Sequence, residues 1–142
     1  MNIAIVGSRG IDDISILEQL WNQLKLGFDG HKIISGGAKG VDQMARNFAI
    51  THKIPIIEHI PDWNKYGKKA GYLRNKQIID ECDICIAIWD GSSPGTEHDI
   101  RLCKQLKKRL YLYNSKAGKK IIHTYKYDII EPNLFNDGLE YF

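Results

Sequence analysis

The chain has 142 residues, of which 43% are hydrophobic, 26% are charged and four are prolines, a composition typical of one folded domain and unlike that of a disordered or fibrous chain. Twenty basic and 17 acidic residues give a net charge of +3. This charge is too small by itself to indicate a protein that coats nucleic acid. No apolar run approaches the roughly 20 residues of a membrane-spanning helix, and the first residues lack the features of a signal peptide. We therefore expect a cytoplasmic protein without a membrane partner.

Five short apolar runs alternate with segments of helical period, and this alternation predicts an α/β fold. The runs cover residues 3–6, 32–34, 54–59, 84–89 and 110–113. The first and the fourth are almost continuously apolar, which is typical of central strands that are covered on both faces. We expect an open, mostly parallel five-stranded sheet in the order 3-2-1-4-5, with helices on both faces.

The segments between these strands predict four helices. The first begins after Asp12 and Asp13, the second follows Gly40, the third spans about residues 72–82 and the fourth begins near Thr96. Lys104, Lys107, Lys108 and Arg109 are expected in the last turns of the fourth helix, where cations favour the helix dipole.

The C-terminal residues follow a different pattern. Residues 121–129 alternate between apolar and polar, which predicts an accessory strand with one apolar face. We interpret residues 1–142 as a single domain in which 114–142 form a C-terminal extension. An unpaired apolar strand and an aromatic tail favour self-association, so we expect a homo-oligomer, most simply a dimer.

Cysteine and histidine residues give no sign of a cofactor. Cys82, Cys85 and Cys103 are an odd number in a chain without an export signal, which argues for reduced thiols rather than a disulfide framework. The five histidines are scattered without the spacing of metal ligands. We expect neither a metal ion nor another cofactor.

Three of the predicted strands run into glycine-rich turns, at residues 7–10, 35–40 and 90–96. The carboxyl ends of parallel strands meet at one edge of a sheet, where ligands of such folds bind. Glycine lets peptide N–H groups converge on an anion at the start of the next helix. The turns match neither the P-loop nor the G-x-G-x-x-G pattern, which argues against ATP hydrolysis and ordinary NAD redox chemistry. They predict a phosphate-binding site of another kind.

These turns, together with one further segment, resemble the YAcAr-type branch of the SLOG superfamily. The matching residues are Gly7-Ser8-Arg9, residues 35–45 (SGGAKGVDQMA), residues 61–75 (PDWNKYGKKAGYLRN) and Gly95-Thr96. The resemblance spans about residues 1–113. It implies a Rossmann-like fold and a nucleotide or nucleotide-derived ligand, for example an ADP-ribose or NAD-related molecule, bound by a sensor or sequestering module.

The same superfamily includes the lonely-guy phosphoribohydrolases, which implies an alternative function as an N-glycosidic hydrolase acting on nucleoside monophosphates. Those enzymes use an arginine before the strand that ends in a P-G-G-x-G-T-x-x-E loop. Arg74 precedes the corresponding strand here, and Asp99 takes the place of the loop glutamate with a side chain shorter by one methylene. Glu97 is the alternative carboxylate. An arginine can clamp phosphate while a carboxylate stabilises positive charge at the anomeric carbon.

The superfamily also includes the DNA-processing protein A fold, which implies single-stranded DNA binding as a further alternative. The lysine-rich segment around residues 65–69 and the lysine-rich fourth helix support that alternative, whereas the low net charge counts against it. The segment 61–75 also contains Trp63, Tyr66 and Tyr72. Their rings could stack on a base or could anchor a long loop.

The residues expected to contact a ligand lie on or beside the glycine turns. They are Gly7, Ser8, Arg9, Gly36, Gly37, Ala38, Lys39, Gly40, Asp42, Arg74, Asn75, Asp90, Gly95 and Thr96. Two of them have an equally simple structural interpretation. Asp42 could instead complement the dipole of the second helix, and Asp90 could open a turn rather than accept from ribose hydroxyls.

Overall fold

The computed structural model describes residues 1–115, 122–125 and 139–141. Within them, the strands form one sheet in the order β3-β2-β1-β4-β5-β6-β7. The strands are β1 (Asn2–Gly7), β2 (Lys32–Ser35), β3 (Ile56–Glu58), β4 (Ile84–Trp89), β5 (Arg109–Asn114), β6 (Ile122–Tyr125) and β7 (Leu139–Tyr141). The first five are parallel, which confirms the predicted order 3-2-1-4-5.

The accessory strand pairs antiparallel with β5, and β7 pairs antiparallel with β6. The sequence pattern predicts the first of these two strands and not the second. Apart from Asn114 and Ser115, the remainder of the C-terminal extension lies outside the described residues, as does the apolar face expected for the accessory strand. No helix within the described part of the chain has the length and apolar character needed to cross a bilayer.

The helices are α1 (Ile14–Gln23), α2 (Val41–His52), α3 (Trp63–Tyr66), α4 (Ala70–Glu81) and α5 (Pro94–Gln105), with a 3-10 turn at Gly67–Lys69. The predicted loop before the third helix is thus partly helical, because α3 and the 3-10 turn lead directly into α4. The expectation that Lys107, Lys108 and Arg109 lie in the last helix is wrong. Lys107 takes a left-handed φ of 54° that ends the helix, and Arg109 begins β5.

Alternate side chains of the central strands point into two separate hydrophobic layers. On one face of the sheet, Ile3 and Ile5 of β1 pack with residues of α1 and α2. On the other face, Ala4 and Val6 pack with residues of α4 and α5. Each fully buried isoleucine stabilises the fold by about 1.5–3 kcal/mol. The two layers fix the central strands, and with them the positions of the turns at their carboxyl ends.

Candidate functional site

A cleft of about 410 Å³ lies at the carboxyl ends of β1, β2 and β4. Its lining includes eleven of the residues that the sequence singles out: Gly7, Ser8, Arg9, Gly36, Ala38, Asp42, Arg74, Asn75, Gly95, Thr96 and Asp99. The three glycine-rich turns therefore converge on one cleft, as the strand order requires.

The lining also contains residues that the sequence analysis missed. They are Val6, Gly10, Ile78, Ser93 and Pro94. A helical spacing could have revealed Ile78, because it lies four residues after Arg74 on α4 and hence on the same face of that helix. Gly10, Ser93 and Pro94 belong to the glycine-rich turns already identified, and Val6 directly precedes the first turn, so only their own contribution to the lining was not predicted.

Ser8 ties the three turns together from a position that is almost completely buried. Its hydroxyl oxygen accepts a hydrogen bond of 3.0 Å from the backbone N–H of Asp90, beyond the end of β4. Its carbonyl oxygen accepts bonds of 3.3 Å from the N–H groups of Ile11 and Val41, the latter at the start of α2. Ser8 therefore acts as a structural link whose hydroxyl is already engaged.

At two positions near the cleft, Gly7 and Gly40, neighbouring chain segments lie so close that there is no room for a side chain. A Cβ at Gly7 would overlap the carbonyl oxygen of Ile88 and the side chain of Val41. Gly40 has a φ of 70°, and a Cβ there would overlap the backbone of Ser8 and Arg9. Gly40 does not line the cleft, so its function in the structure is to let the first two turns touch.

Arg74, half-buried on α4, is held in the cleft by three hydrogen bonds. Its Nη1 donates to the carbonyl oxygens of Gly36 at 2.7 Å and His59 at 3.4 Å, and its Nε donates to Oδ1 of Asn75 at 2.9 Å. No hydrogen bond to Nη2 is formed within the described part of the chain, so this nitrogen can donate to a ligand. The Asn75 side-chain amide also lies 3.2 Å from Nδ1 of His98, which extends the network to α5.

Two carboxyl groups lie buried in the same cleft, Asp42 on α2 and Asp99 on α5. The Asp42 carboxylate accepts a bond of 3.1 Å from the N–H of Ala38, whereas Oδ1 of Asp99 has no partner among the described residues. Burial raises the pKa of both groups, and for Asp99 the rise is large. The nearby charge of Asp42 adds to the rise at Asp99, while Arg74 opposes it. Burial thus disfavours the charged form of Asp99 relative to an exposed aspartate.

The start of α5 supplies peptide donors to the cleft. Pro94 occupies the first helical position, and Gly95 and Thr96 follow it in the first turn. N–H groups in the first turn have no carbonyl partner within the helix, and the positive end of the helix dipole lies there. This helix end can therefore accept an anion.

Two acidic candidates lie outside the cleft lining. Glu97 forms an ion pair with Arg101 one turn further along α5. The Asp90 carboxylate accepts hydrogen bonds from the N–H groups of Ser92 and Ser93 at 2.9 and 2.8 Å, and these bonds hold its pKa below the usual range. The alternative interpretation of Asp90 as a turn residue fits these contacts.

A second cavity of about 470 Å³ adjoins the cleft. This cavity, and not the cleft, is lined by Gly37, Lys39 and Trp63. Tyr66, Tyr72, Lys65, Lys68 and Lys69 line neither. Of the aromatic and basic residues of that segment, only Trp63 lines either of these two cavities.

The cysteines are free thiols, as the sequence indicates. All three cysteines are free and buried. Among the described residues, no group of three or more His, Cys, Asp or Glu side chains is placed to hold a metal ion.

Comparison with known sequences adds a family and three relatives. Residues 1–66 match the YAcAr family, described as the YspA, cpYpsA-related SLOG family. Gene 61 protein of Mycobacterium phage D29 is 33% identical over 110 residues, which are 70% of this chain and 85% of that protein. The tRNA modification GTPases MnmE of Campylobacter curvus and Campylobacter concisus are 30% and 29% identical over 84% and 89% of this chain. The matches span only 24% and 28% of those GTPases.

Two solved structures have a similar fold. DNA processing protein A from Helicobacter pylori, studied for its single-stranded DNA binding mode, aligns with a TM-score of 0.64 and 23% identity over 84% of this chain and 68% of that one. The X-ray structure of TM1055 aligns with a TM-score of 0.58 and 19% identity over 77% of this chain and 71% of that one. At these identities the likeness is one of fold alone. The family match and the phage relative place the chain in the YspA, cpYpsA-related SLOG family.

Proposed function

We propose that the protein binds a nucleotide or a nucleotide-derived small molecule in the cleft, as a sensor or sequestering module that does not turn its ligand over. One observation carries the proposal: three glycine-rich turns from β1, β2 and β4 line a single cleft together with Arg9 and Arg74. A cleft of about 410 Å³ is within the range of small-molecule sites.

The polar groups of the cleft favour a ligand with both an anionic and a hydroxyl-bearing part. The amides at the start of α5 and the guanidinium groups of Arg9 and Arg74 suit phosphate oxygens. Asp42 and Asp99 would repel a bare anion, but carboxyl groups form hydrogen bonds with sugar hydroxyls. A nucleotide combines the two requirements, whereas inorganic phosphate meets only the first.

Isothermal titration calorimetry with AMP, ADP and inorganic phosphate tests the proposal. We expect the nucleotides to bind more tightly than phosphate, and Arg74→Ala to weaken nucleotide binding about 10-fold or more, since a charge-assisted hydrogen bond contributes about 1.5–3 kcal/mol. Arg101→Ala is the matched control, because that arginine is exposed, pairs with Glu97 and lies outside the cleft. Equal losses in the two variants, or no nucleotide binding by the parent protein, would contradict the proposal.

Hydrolysis of an N-glycosidic bond is a second candidate, favoured by the buried Oδ1 of Asp99, which has no hydrogen-bond partner among the described residues and lies in the same cleft as Arg74. A carboxylate there could stabilise positive charge at an anomeric carbon. Incubation with AMP followed by chromatography for free adenine tests this candidate. Release of adenine that Asp99→Asn abolishes would establish it, and the absence of adenine after long incubation would exclude it for that substrate.

Single-stranded DNA binding has less support than either candidate. Lys65, Lys68 and Lys69 line neither cavity, and the net charge is only +3. Binding through phosphate contacts would weaken steeply with salt because counterions are released. An oligonucleotide affinity that is weak at low salt, or insensitive to salt, would exclude this function.

A further inference from the structure

His98 of α5 lines neither of the two cavities, but it contacts a residue that holds Arg74. That residue is Asn75, which is buried on α4. Its Oδ1 accepts a hydrogen bond of 2.9 Å from Nε of Arg74, and its Nδ2 lies 3.2 Å from Nδ1 of His98. A titratable ring is thus joined through one amide group to the guanidinium in the cleft.

The chemistry of arginine fixes the orientation of the Asn75 amide. Nε of an arginine can only donate, so the Asn75 atom that faces it is the amide oxygen. The atom that faces His98 is therefore the amide nitrogen, which also can only donate. Nδ1 of His98 must then accept, and an imidazole nitrogen accepts only when it carries no hydrogen. These contacts require a neutral His98 with its hydrogen on Nε2.

The surroundings of the ring agree with a neutral imidazole. On the α4 side, the half-buried ring faces the Asn75 amide and the edge-on ring of Tyr72, whose centroid lies 4.7 Å away. On α5, the charged group that acts on it is Arg101, which pairs with Glu97. Burial, and after it the Arg101 charge, lower the pKa of His98 below 6.5. Within the described part of the chain, His98 forms no ion pair with a carboxylate.

Protonation of His98 opposes this arrangement. A hydrogen on Nδ1 would point at the Nδ2 hydrogens of Asn75, so that two donors would face each other. Turning the amide over would satisfy the ring, but it would bring the NH₂ group against Nε of Arg74, again donor to donor. The protonated ring must therefore break one of the two links, and a buried polar group without a partner is unfavourable.

We infer that His98 is a positioning residue for Arg74: the neutral ring holds the guanidinium in its binding orientation through Asn75, and protonation of the ring loosens it. Ligand affinity then falls as the pH drops through the titration of His98. Because linkage is reciprocal, a bound ligand that uses Arg74 also disfavours protonation of the ring. The effect on affinity rests on the proposed function of the cleft, whereas the link between His98 and Arg74 does not.

Nitrogen chemical shifts of the histidine rings, followed from about pH 8 to about pH 5 with and without saturating ADP, test the inference. His98→Asn identifies the His98 signals by their loss. We expect a neutral ring protonated at Nε2, and we expect ADP to lower its pKa. An anion that acts only through its charge would raise that pKa instead. A rise, no change on binding, or a neutral ring protonated at Nδ1 would overturn the inference.

Arg74→Lys tests the link in the absence of a ligand. Lysine keeps the positive charge but places a methylene where arginine has its Nε–H, so the oxygen of Asn75 is no longer fixed. The amide can then turn toward the ring, and the pKa of His98 should rise. Arg101→Lys is the matched control, because it also keeps its charge and does not contact Asn75. An equal pKa of His98 in the two variants would show that Asn75 transmits nothing.

Calorimetry with ADP measures the consequence for binding. His98→Leu removes the acceptor and should weaken ADP on the order of fivefold at neutral pH, since Asn75 loses its partner. His98→Asn supplies a carbonyl oxygen near the position of Nδ1 and should restore the affinity. Its amide does not titrate, so the variant should lose less affinity toward about pH 5 than the parent protein. Ionisation of the terminal phosphate of ADP near about pH 6 affects both proteins alike.

His59→Asn is the control for the pH dependence. This histidine contacts Arg74 only through its backbone carbonyl, so its replacement should leave the pH dependence of the parent protein unchanged. If ADP does not bind the parent protein, the proposed function fails, and the ring tautomer and Arg74→Lys still decide the link. If ADP binds through Arg74 but His98→Leu binds it as tightly as the parent protein does, the inference is overturned and the proposed function stands.

Discussion

Nη1 of Arg74 donates a hydrogen bond of 2.7 Å to the carbonyl oxygen of Gly36, which lies 38 residues earlier in the chain. This bond fastens α4 to the turn after β2 and places the guanidinium in the cleft before any ligand arrives. A Cβ at Gly36 would overlap that guanidinium and lie 2.9 Å from Oδ2 of Asp42. The absence of a side chain at position 36 thus allows an arginine and a carboxylate to approach the same backbone.

Gly36→Ala should lower both stability and nucleotide affinity. The added methyl forces Arg74 or Asp42 out of position, and overpacking of this kind costs about 1–3 kcal/mol. Thermal unfolding measures the stability change, and calorimetry with ADP measures the affinity. Gly95→Ala is the control for stability, because a Cβ at Gly95 meets no atom within 4 Å and alanine favours the helix that contains it. If Gly36→Ala unfolds at the same temperature as Gly95→Ala, the close contact is wrong.

The buried carboxyl of Asp99 should make the protein less stable as the pH rises. Its pKa in the folded state lies well above the ordinary value of 3.8, because burial disfavours the charged form. The folded chain then binds more protons than the unfolded chain between the two pKa values, so the free energy of unfolding falls with pH across that interval. The contribution is most favourable below about pH 4.

Asp99→Asn removes this titration while keeping the shape of the side chain. At neutral pH the variant should melt higher than the parent protein, on the order of 5 °C, because it no longer carries a carboxyl whose charged form is disfavoured by burial. The difference should shrink as the pH is lowered toward 4. Melting curves over this range measure the difference in melting temperature, and a difference that is independent of pH, or of opposite sign, would contradict the raised pKa of the buried Asp99 carboxyl.

The Asp90 carboxylate should have the opposite pH dependence. Hydrogen bonds from Ser92 and Ser93 lower its pKa below 3.8, so its contribution to stability is complete above that pH and is lost as the pH falls toward the lower folded value. Asp90→Ala should therefore lower the melting temperature near neutral pH, with a smaller effect in acid. Asp90→Asn, which keeps one acceptor oxygen for the two backbone N–H groups, should lie between. If Asp90→Ala and Asp90→Asn lower the melting temperature equally, the Asp90 side chain does not stabilise the turn through the N–H groups of Ser92 and Ser93.

The three cysteines should resist thiol reagents in the native protein. Burial raises the pKa of Cys82 to about 12 from an ordinary 9.0, which reduces its thiolate fraction at mild pH by about 1000-fold. Cys85 and Cys103 are fully buried. An aromatic disulfide reagent should modify no thiol within minutes in buffer and all three in denaturant. Rapid modification of the native chain would show that the core opens near β4 or α5.

Much of the fold and of the cleft could be predicted because both depend on local patterns. The continuous apolar runs at 3–6 and 84–89 identify the central strands, and glycines at their ends identify the turns. Since parallel strands all end at one edge, the meeting of Gly7, Gly36 and Gly95 follows from topology alone. The placement of Arg74 beside them follows from the family resemblance rather than from any periodicity.

What the sequence could not supply is the direction of individual side chains and the division of the space into two cavities. Glu97 and Asp99 are two residues apart on one helix, so they face different directions, and only Asp99 reaches the cleft. Lysines 65, 68 and 69 look like partners of Trp63 in the sequence, yet of these four residues only Trp63 lines either of the two cavities. The expected dimer stays a prediction.

Backbone amide shifts in isotope-labelled protein titrated with ADP test the central claim most directly. The account predicts that the amide signals of Gly7, Gly36 and Gly95 move together with one dissociation constant, because all three turns bind the same ligand. Gly27 and Gly30, which precede β2 at the opposite edge of the sheet, should not move. Saturable shifts confined to Gly27 and Gly30, or three turns that stay unchanged at saturating ADP, would contradict it.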